Sequence, residues 1–477
     1  MAFDVLKRYV TPVPSFCPNL APRSAQVLFS IVTMLVFVAS LIPFDAAAQA
    51  KRSYIRDAET ESTIRSFAAP LFRAAGMDAK DISILLVKDK TLNAFVAGGR
   101  NIFLHTGLII ESDGPDALIG VIAHETGHIE GGHLSRTRAA MEDASAIQLI
   151  GTLLGTIAAV SSGKPGAAQA VMMGTQSTAR RSFMKYSRTQ ESAADQAAMR
   201  LLDATGRSAK GLENFLGLLV NQEVLTKRLQ DPYVQSHPIS RTRVSTLHNF
   251  NKVSVNADHT ASKAEKLAHA RIVAKLFGFI EPLKKVLKRY PESDQSFAAR
   301  YARAIAYYRQ PDLERALQLV AGLMIELPND PYLFELKGQM LFEHGRQKEA
   351  LKAYQKAYRL APDENLILTE LARVELELDD PALLDSAIGH FRKAIHLGGA
   401  STFTWRELGI AYGRKGEMGL SSLALAEAEL RIGQLANAEF LATRALKQLE
   451  KGTSSYLQAQ DILQSIIAAR ESEAAKK

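Results

Sequence analysis

Two histidines four residues apart, with a glutamate beside the first, are the residues of this chain whose spacing best suits catalysis. They stand in VIAHETGHIEGGH, residues 121–133. In a helix, positions i and i+4 share a face. His124 and His128 then point the same way, one turn apart, which suits two nitrogen ligands on one zinc ion. Glu125 is rotated away from the metal but can reach a water that the metal activates. A catalytic zinc needs a third protein ligand and an open fourth position. Glu191 and Asp195 supply candidates in YSRTQESAADQAAMRLL, again four apart on a strongly helical segment. The Glu191 carboxylate completes a His₂Glu set. Asp195 can hold the far nitrogen of a ligating histidine and fix its tautomer. On their own, two acids on an Ala-rich helix would read as a solvated face. The preceding metal motif is what singles them out.

These residues need elements to position them. SDGPDALIGVIAHETGHIEGGH (112–133) reads as a helix capped by Asp113, with Pro115 in its first turn and Gly131–Gly132 at its end. The β-rich stretches 81–89 and 93–109, the second broken by Gly98 and Gly99, predict a small sheet with a hairpin. The run AIQLIGTLLGTIAAV (146–160) is apolar nearly all round but short for a span. It reads as a buried hairpin, with membrane-surface contact by 146–173 as the alternative.

Further along, the chain becomes repetitive. Pro328 and Pro362 are 34 residues apart, as are Ala316 and Ala350. Phe334, Gly338, Leu341, Ala350, Tyr354, Ala357 and Pro362 fall on tetratricopeptide (TPR) positions. The next unit, with Ala387, Phe391 and Ala394, carries about three extra residues near DDPAL. Beyond Gly416 the frame shifts by half a repeat, which leaves the helices between 416 and 433 unphased. Such arrays stack helix pairs into a curved surface that binds peptide or protein, the plainer alternative being a rigid spacer.

The whole chain sets the outer bounds. At 477 residues it exceeds one ordinary core. A net charge of +8 is spread thinly, with no basic block among aromatics, so no nucleic acid is expected as a partner. Lys7, Arg8 and Arg23 precede the apolar run 27–44, and Ala48 and Ala50 form an A-x-A site. This predicts a secretory signal cleaved near Ala50, with an uncleaved anchor as the alternative. The single cysteine, Cys17, lies in that segment, so the exported chain is expected to have no disulfides.

HETGH, then ESAAD some sixty residues on, then SHPISRTR (236–243) and a C-terminal TPR array together resemble the periplasmic β-barrel assembly-enhancing proteases. These are gluzincin zinc metallopeptidases, of one broad family with the prenyl-protein proteases and HtpX. The resemblance covers nearly all of the expected exported chain. It implies zinc, one per chain, on His124, His128 and Glu191, with Glu125 as base and Asp195 as supporting acid. It places Asn93, Ala94 and Phe95 on an edge strand that pairs with substrate, though they also read as an ordinary strand end. His237, Pro238 and Arg243 match its His-Pro-x₄-Arg segment. His237 is then a fourth zinc ligand, an oxyanion donor or a plain turn residue, and Arg243 lies with the substrate-binding group. His133 reads as structural.

The expected fold is α+β and mostly helical: a zincin-type domain with a small sheet, then an all-α solenoid. The expected division is 1–50 signal, 51–250 metallopeptidase, 251–297 linker and connecting helices, and 298–470 repeats. The expected function is a periplasmic endopeptidase with chaperone capacity. Its clients would be unfolded or misassembled outer-membrane proteins, and the array would hold a client or the outer-membrane assembly machinery. The competing reading is a non-catalytic TPR scaffold or chaperone with a latent zinc site.

Overall fold

The computed structural model describes residues 53–137, 165–220 and 232–474, and the single positions 139, 145, 152 and 230. The expected signal segment 1–50 and the apolar run 146–160 lie outside them. Among the described residues no helix is long and apolar enough to cross a membrane.

The two β-rich stretches form one four-stranded sheet with β1 (Tyr54–Ile55), β2 (Ser83–Val87), β3 (Ala94–Ala97) and β4 (Asn101–His105). The order is β1-β2-β4-β3, with β2 and β4 parallel and the other pairs antiparallel. The β3–β4 hairpin turns where the glycines predicted it, and β3 is left as an edge. The expected β character does not extend past His105. Residues Thr106–Glu111 form a short helix instead, with Leu108, Ile109 and Ile110 driven into the core.

Helix α1 (Ala58–Ala74) packs on the sheet, and α2 (Pro115–Glu130) carries the paired histidines. Pro115 starts α2 as predicted, but Gly114 occupies the N-cap and Asp113 does not. Nearly the whole first three turns of α2 are buried, a consequence of Leu118, Ile119, Val121 and Ile122 falling on several faces. Helix α3 (Pro165–Ala204) crosses α2 at close range. Gly127 permits this, since a Cβ there would lie 2.8 Å from the Ala194 carbonyl oxygen. Helix α4 (Lys210–Leu219) and helix α5 (Arg241–Val253) close the same core.

The segment 251–297 is only partly a connection. Residues 254–262 are irregular, but α6 (Lys263–Ile280) is a regular helix that starts with a Ser262–Glu265 capping box. Ile272, Val273 and Leu276 join the core of the sheet domain, while Ala274 joins that of the first repeats. One helix therefore serves both regions.

The repeats run as antiparallel helix pairs from Phe297 onward. Small buried residues at the expected places, such as Ala316, Ala350 and Ala357, set the spacing. The extra residues near DDPAL are absorbed at the start of a helix. Ala350 is the fourth residue of Gln347–Leu360, whereas Ala387 is the seventh of Pro381–Ala394. The unphased stretch resolves as helix Met418–Arg431, which packs with both Thr402–Lys415 and Leu435–Gln448.

Candidate metal centre

Helices α2 and α3 meet at Gly127, and their facing turns carry the five residues singled out by spacing: His124, Glu125, His128, Glu191 and Asp195. His124 and Glu125 are fully buried, and Glu191 and Asp195 nearly so. A short helix, Pro232–Ser236, delivers His237 from above. Its start is tied to the loop that leads into β3, because the Tyr233 N–H donates to the Leu92 carbonyl at 3.2 Å. The Tyr233 ring stacks on His237 with centroids 4.6 Å apart.

The donor atoms converge. His124 Nε2 lies 3.1 Å from His128 Nε2, 3.3 Å from a Glu191 oxygen and 3.4 Å from His237 Nδ1. His128 Nε2 is 3.4 Å from the other Glu191 oxygen, and His237 Nδ1 is 3.2 Å from that same oxygen. One atom from each of His124, His128, Glu191 and His237 lies within 4.8 Å of all the others. In a four-coordinate zinc site with bonds of about 2.0–2.2 Å, ligand atoms sit about 3.3–3.5 Å apart. Lone pairs of imidazole and carboxylate pointed at one another repel unless a cation lies among them. The donor set therefore fits a metal in both chemistry and spacing.

The electrostatics agree. Burial works to lower the His124 pKa, but Asp195 and Glu191 outweigh it and raise it to about 9. Burial likewise opposes the charged form of His237, and Glu191 and Glu125 pull it upward. Burial pushes Glu191 up, yet His237, His124 and Arg243 hold it well below the ordinary carboxylate range. The acids favour positive charge on His124 and His237, whereas burial and the neighbouring His124 hold His128 well below the ordinary histidine range. Glu125 differs. Burial raises its pKa, and neither oxygen accepts a hydrogen bond among the described residues. Its nearest basic neighbour is His237 Nε2 at 3.5 Å.

Asp195 Oδ1 stands 2.9 Å from His124 Nδ1. The distance is short, though the ring N–H is off line for a hydrogen bond. Arg243 is where sequence reasoning and structure part. Its Nε and Nη2 grip Asp195 at 2.6 and 2.8 Å, while Nη1 reaches Glu191 at 2.8 Å and the Pro238 carbonyl at 3.0 Å. Its guanidinium is thus committed to the site's own acids, Asp195 and Glu191. A buried arginine beside two ligand-side acids has no local sequence signal, because the partners are some fifty residues apart.

The edge strand does border the site. Asn93 and Ala94 are buried, and Phe95 stacks on Phe103 with centroids 4.8 Å apart. The Ala94 carbonyl lies 3.2 Å from His237 Nε2. His133, beyond the helix end, touches His128 with Nδ1 atoms 3.0 Å apart.

A sheet-backed helix pair with this donor set, followed by helical repeats, defines a metallopeptidase domain joined to a TPR array. Residues 55–251 match the model of peptidase family M48. The chain is similar to the β-barrel assembly-enhancing protease of Yersinia pestis, 23% identical over 306 residues. That alignment covers 62% of this chain and 61% of the relative, so the chain spans about three fifths of that relative's length. The protein of the same name from Escherichia coli K12 is 23% identical over 330 residues, 69% of this chain and 67% of the relative. Among solved structures, a thermophilic TPR protein of Thermus thermophilus shares 18% identity over 35% of this chain and 99% of its own, with a TM-score of 0.24. YrrB, a TPR protein with an unusual peptide-binding site, shares 18% over 40% of this chain and 98% of its own, with a TM-score of 0.29. At such scores neither adds to the fold described above.

Proposed function

We propose that this chain is a zinc-dependent endopeptidase of the periplasm that cleaves extended segments of unfolded or misassembled outer-membrane proteins. The convergence of His124, His128, Glu191 and His237 on one point is the observation that supports it most. In this reading His124, His128 and Glu191 hold one zinc ion, and Asp195 orients His124 while Arg243 fixes both acids. Zinc, when bound, supplies Lewis-acid polarisation of the scissile carbonyl and acidifies water. Glu125 takes the proton and passes it to the leaving amine. Its raised pKa and unengaged oxygens suit that work. The open edge of β3 pairs with an extended chain by backbone hydrogen bonds, which favours unfolded over folded clients. The repeat array binds the client or a partner of the outer-membrane assembly machinery. Residues 146–173 remain the candidate for peripheral membrane contact. Metal analysis of the purified exported chain tests the zinc assignment, with one zinc per chain expected and none refuting it.

Of the three roles open to His237, the geometry favours the fourth ligand. Its Nε2 faces the Ala94 carbonyl and donates to it, so the proton sits there and the Nδ1 lone pair faces the other donors. In that position it also engages the edge strand where a substrate would pair. His237 then acts as a latch. His237→Ala should raise basal cleavage of an unfolded protein, by about tenfold if the latch is closed about nine-tenths of the time. A fall in cleavage would instead mark it as an oxyanion donor.

A further inference from the structure

Each of the two paired histidines has a far nitrogen that must be dealt with. His124 Nδ1 faces Asp195, whereas His128 Nδ1 faces no acid among the described residues and lies 3.0 Å from the Nδ1 atom of His133. The two rings meet edge-on, with centroids 4.9 Å apart at 80°. For His128 to present a lone pair at Nε2, its proton must sit on Nδ1, and that N–H must then donate. The acceptor in reach is His133 Nδ1, which requires His133 to be neutral with its own proton on Nε2.

His133 is held for this task. Its carbonyl accepts from the Gln190 side chain at 3.2 Å, and Thr137 donates to the same Gln190 at 2.9 Å. Its ring lies against the bare Cα of Gly131. A Cβ at Gly131 would meet His133 Nε2 at 2.3 Å and Cδ2 at 2.6 Å. Gly131 has φ −70° and ψ −9°, which any residue adopts, so its backbone does not call for glycine. The ring of His133 does.

We infer that His133 is a positioning residue for the metal, fixing the tautomer and ring angle of His128, and that Gly131 leaves the space it occupies. The inference rests on the zinc reading above. It divides the site's orientation between an acid behind His124 and an imidazole behind His128. A partner of this kind adds about ten- to a hundredfold to metal affinity.

The test is zinc titration of the purified exported chain against a competing chromophoric chelator. His133→Ala and Gly131→Ala should each weaken zinc binding about ten- to a hundredfold. Gly131→Ala does so without altering any polar group. The double variant should bind no more weakly than His133→Ala, since both changes remove one contact. His133→Gln, whose side-chain carbonyl can still accept from the His128 N–H, should recover part of the loss. A merely structural His133 would lower the unfolding temperature of the metal-free chain and leave the chelator competition unchanged, and that result overturns the inference. So do losses that add in the double variant. The zinc reading itself fails if the unsubstituted chain takes up no zinc, or if His128→Ala binds it equally well.

Discussion

Glu125→Gln keeps the metal and loses cleavage. Removing a positioned general base costs about 10²–10⁴ in rate, so turnover of an unfolded protein should fall to background. The substitution preserves shape, and neither carboxylate oxygen accepts a hydrogen bond that the fold would miss. Glu125 is also outside the converging donor set, so zinc content should be unchanged. The measurement is zinc per chain together with cleavage of an unfolded protein, for the variant and the unsubstituted chain side by side. Loss of both would mean that Glu125 supports the metal site. Retention of both would remove proton transfer by Glu125 from the mechanism and assign it to another group.

The centre was legible because its grammar is local. Helical spacing places His124 over His128 and Glu191 over Asp195, and a metal needs both pairs. The hairpin, the stop at Gly131 and the repeat positions follow from short-range rules of the same kind. What was not legible depends on contacts across the chain. In the sequence Arg243 falls with the substrate-binding group, and only the folding of α5 against α3 turns it onto Asp195 and Glu191. His133 looked like a residue past the end of a helix, and its contact with His128 depends on how the chain turns at Gly131–Gly132. Helix α6 begins after a polar stretch that reads as a linker. Its role in two cores appears only once the first repeats pack on its far side.

The same long-range logic predicts a large loss of stability on Lys275→Met. Lys275 is almost fully buried on α6. Its ammonium contacts Asp57 at 2.6 Å, Glu335 at 3.3 Å and Glu59 at 3.4 Å. Arg271, one turn earlier, reaches Glu59 at 2.6 Å and also pairs with Asp330, while the Tyr301 hydroxyl donates to Glu59 at 2.6 Å. These residues come from the first turn of α1, from α6 and from the first repeats, so the cluster joins the peptidase domain to the array. Burial opposes the charge on Lys275, but Asp57 and Glu335 outweigh it and hold its pKa well above the ordinary lysine range. It therefore stays charged at every physiological pH. Methionine fills the space and strands the acids, which costs about 3–5 kcal/mol. Out of a net stability of about 5–15 kcal/mol, that would shift the denaturation midpoint far down and expose 254–262 to proteolysis.

Glu335→Gln provides the contrast. Burial raises Glu335, Lys275 pulls it down, and Asp57 and Glu59 push it up again, to about 7 from 4.5. Between those values the folded chain holds a proton that the unfolded chain has released, so this group's contribution to stability falls as pH rises through that window. Glutamine has no such dependence. The variant should match or exceed the unsubstituted chain at pH 8, and its stability should change less between pH 5 and pH 8. Equal losses from Lys275→Met and Glu335→Gln would mean that packing at this junction matters and charge does not.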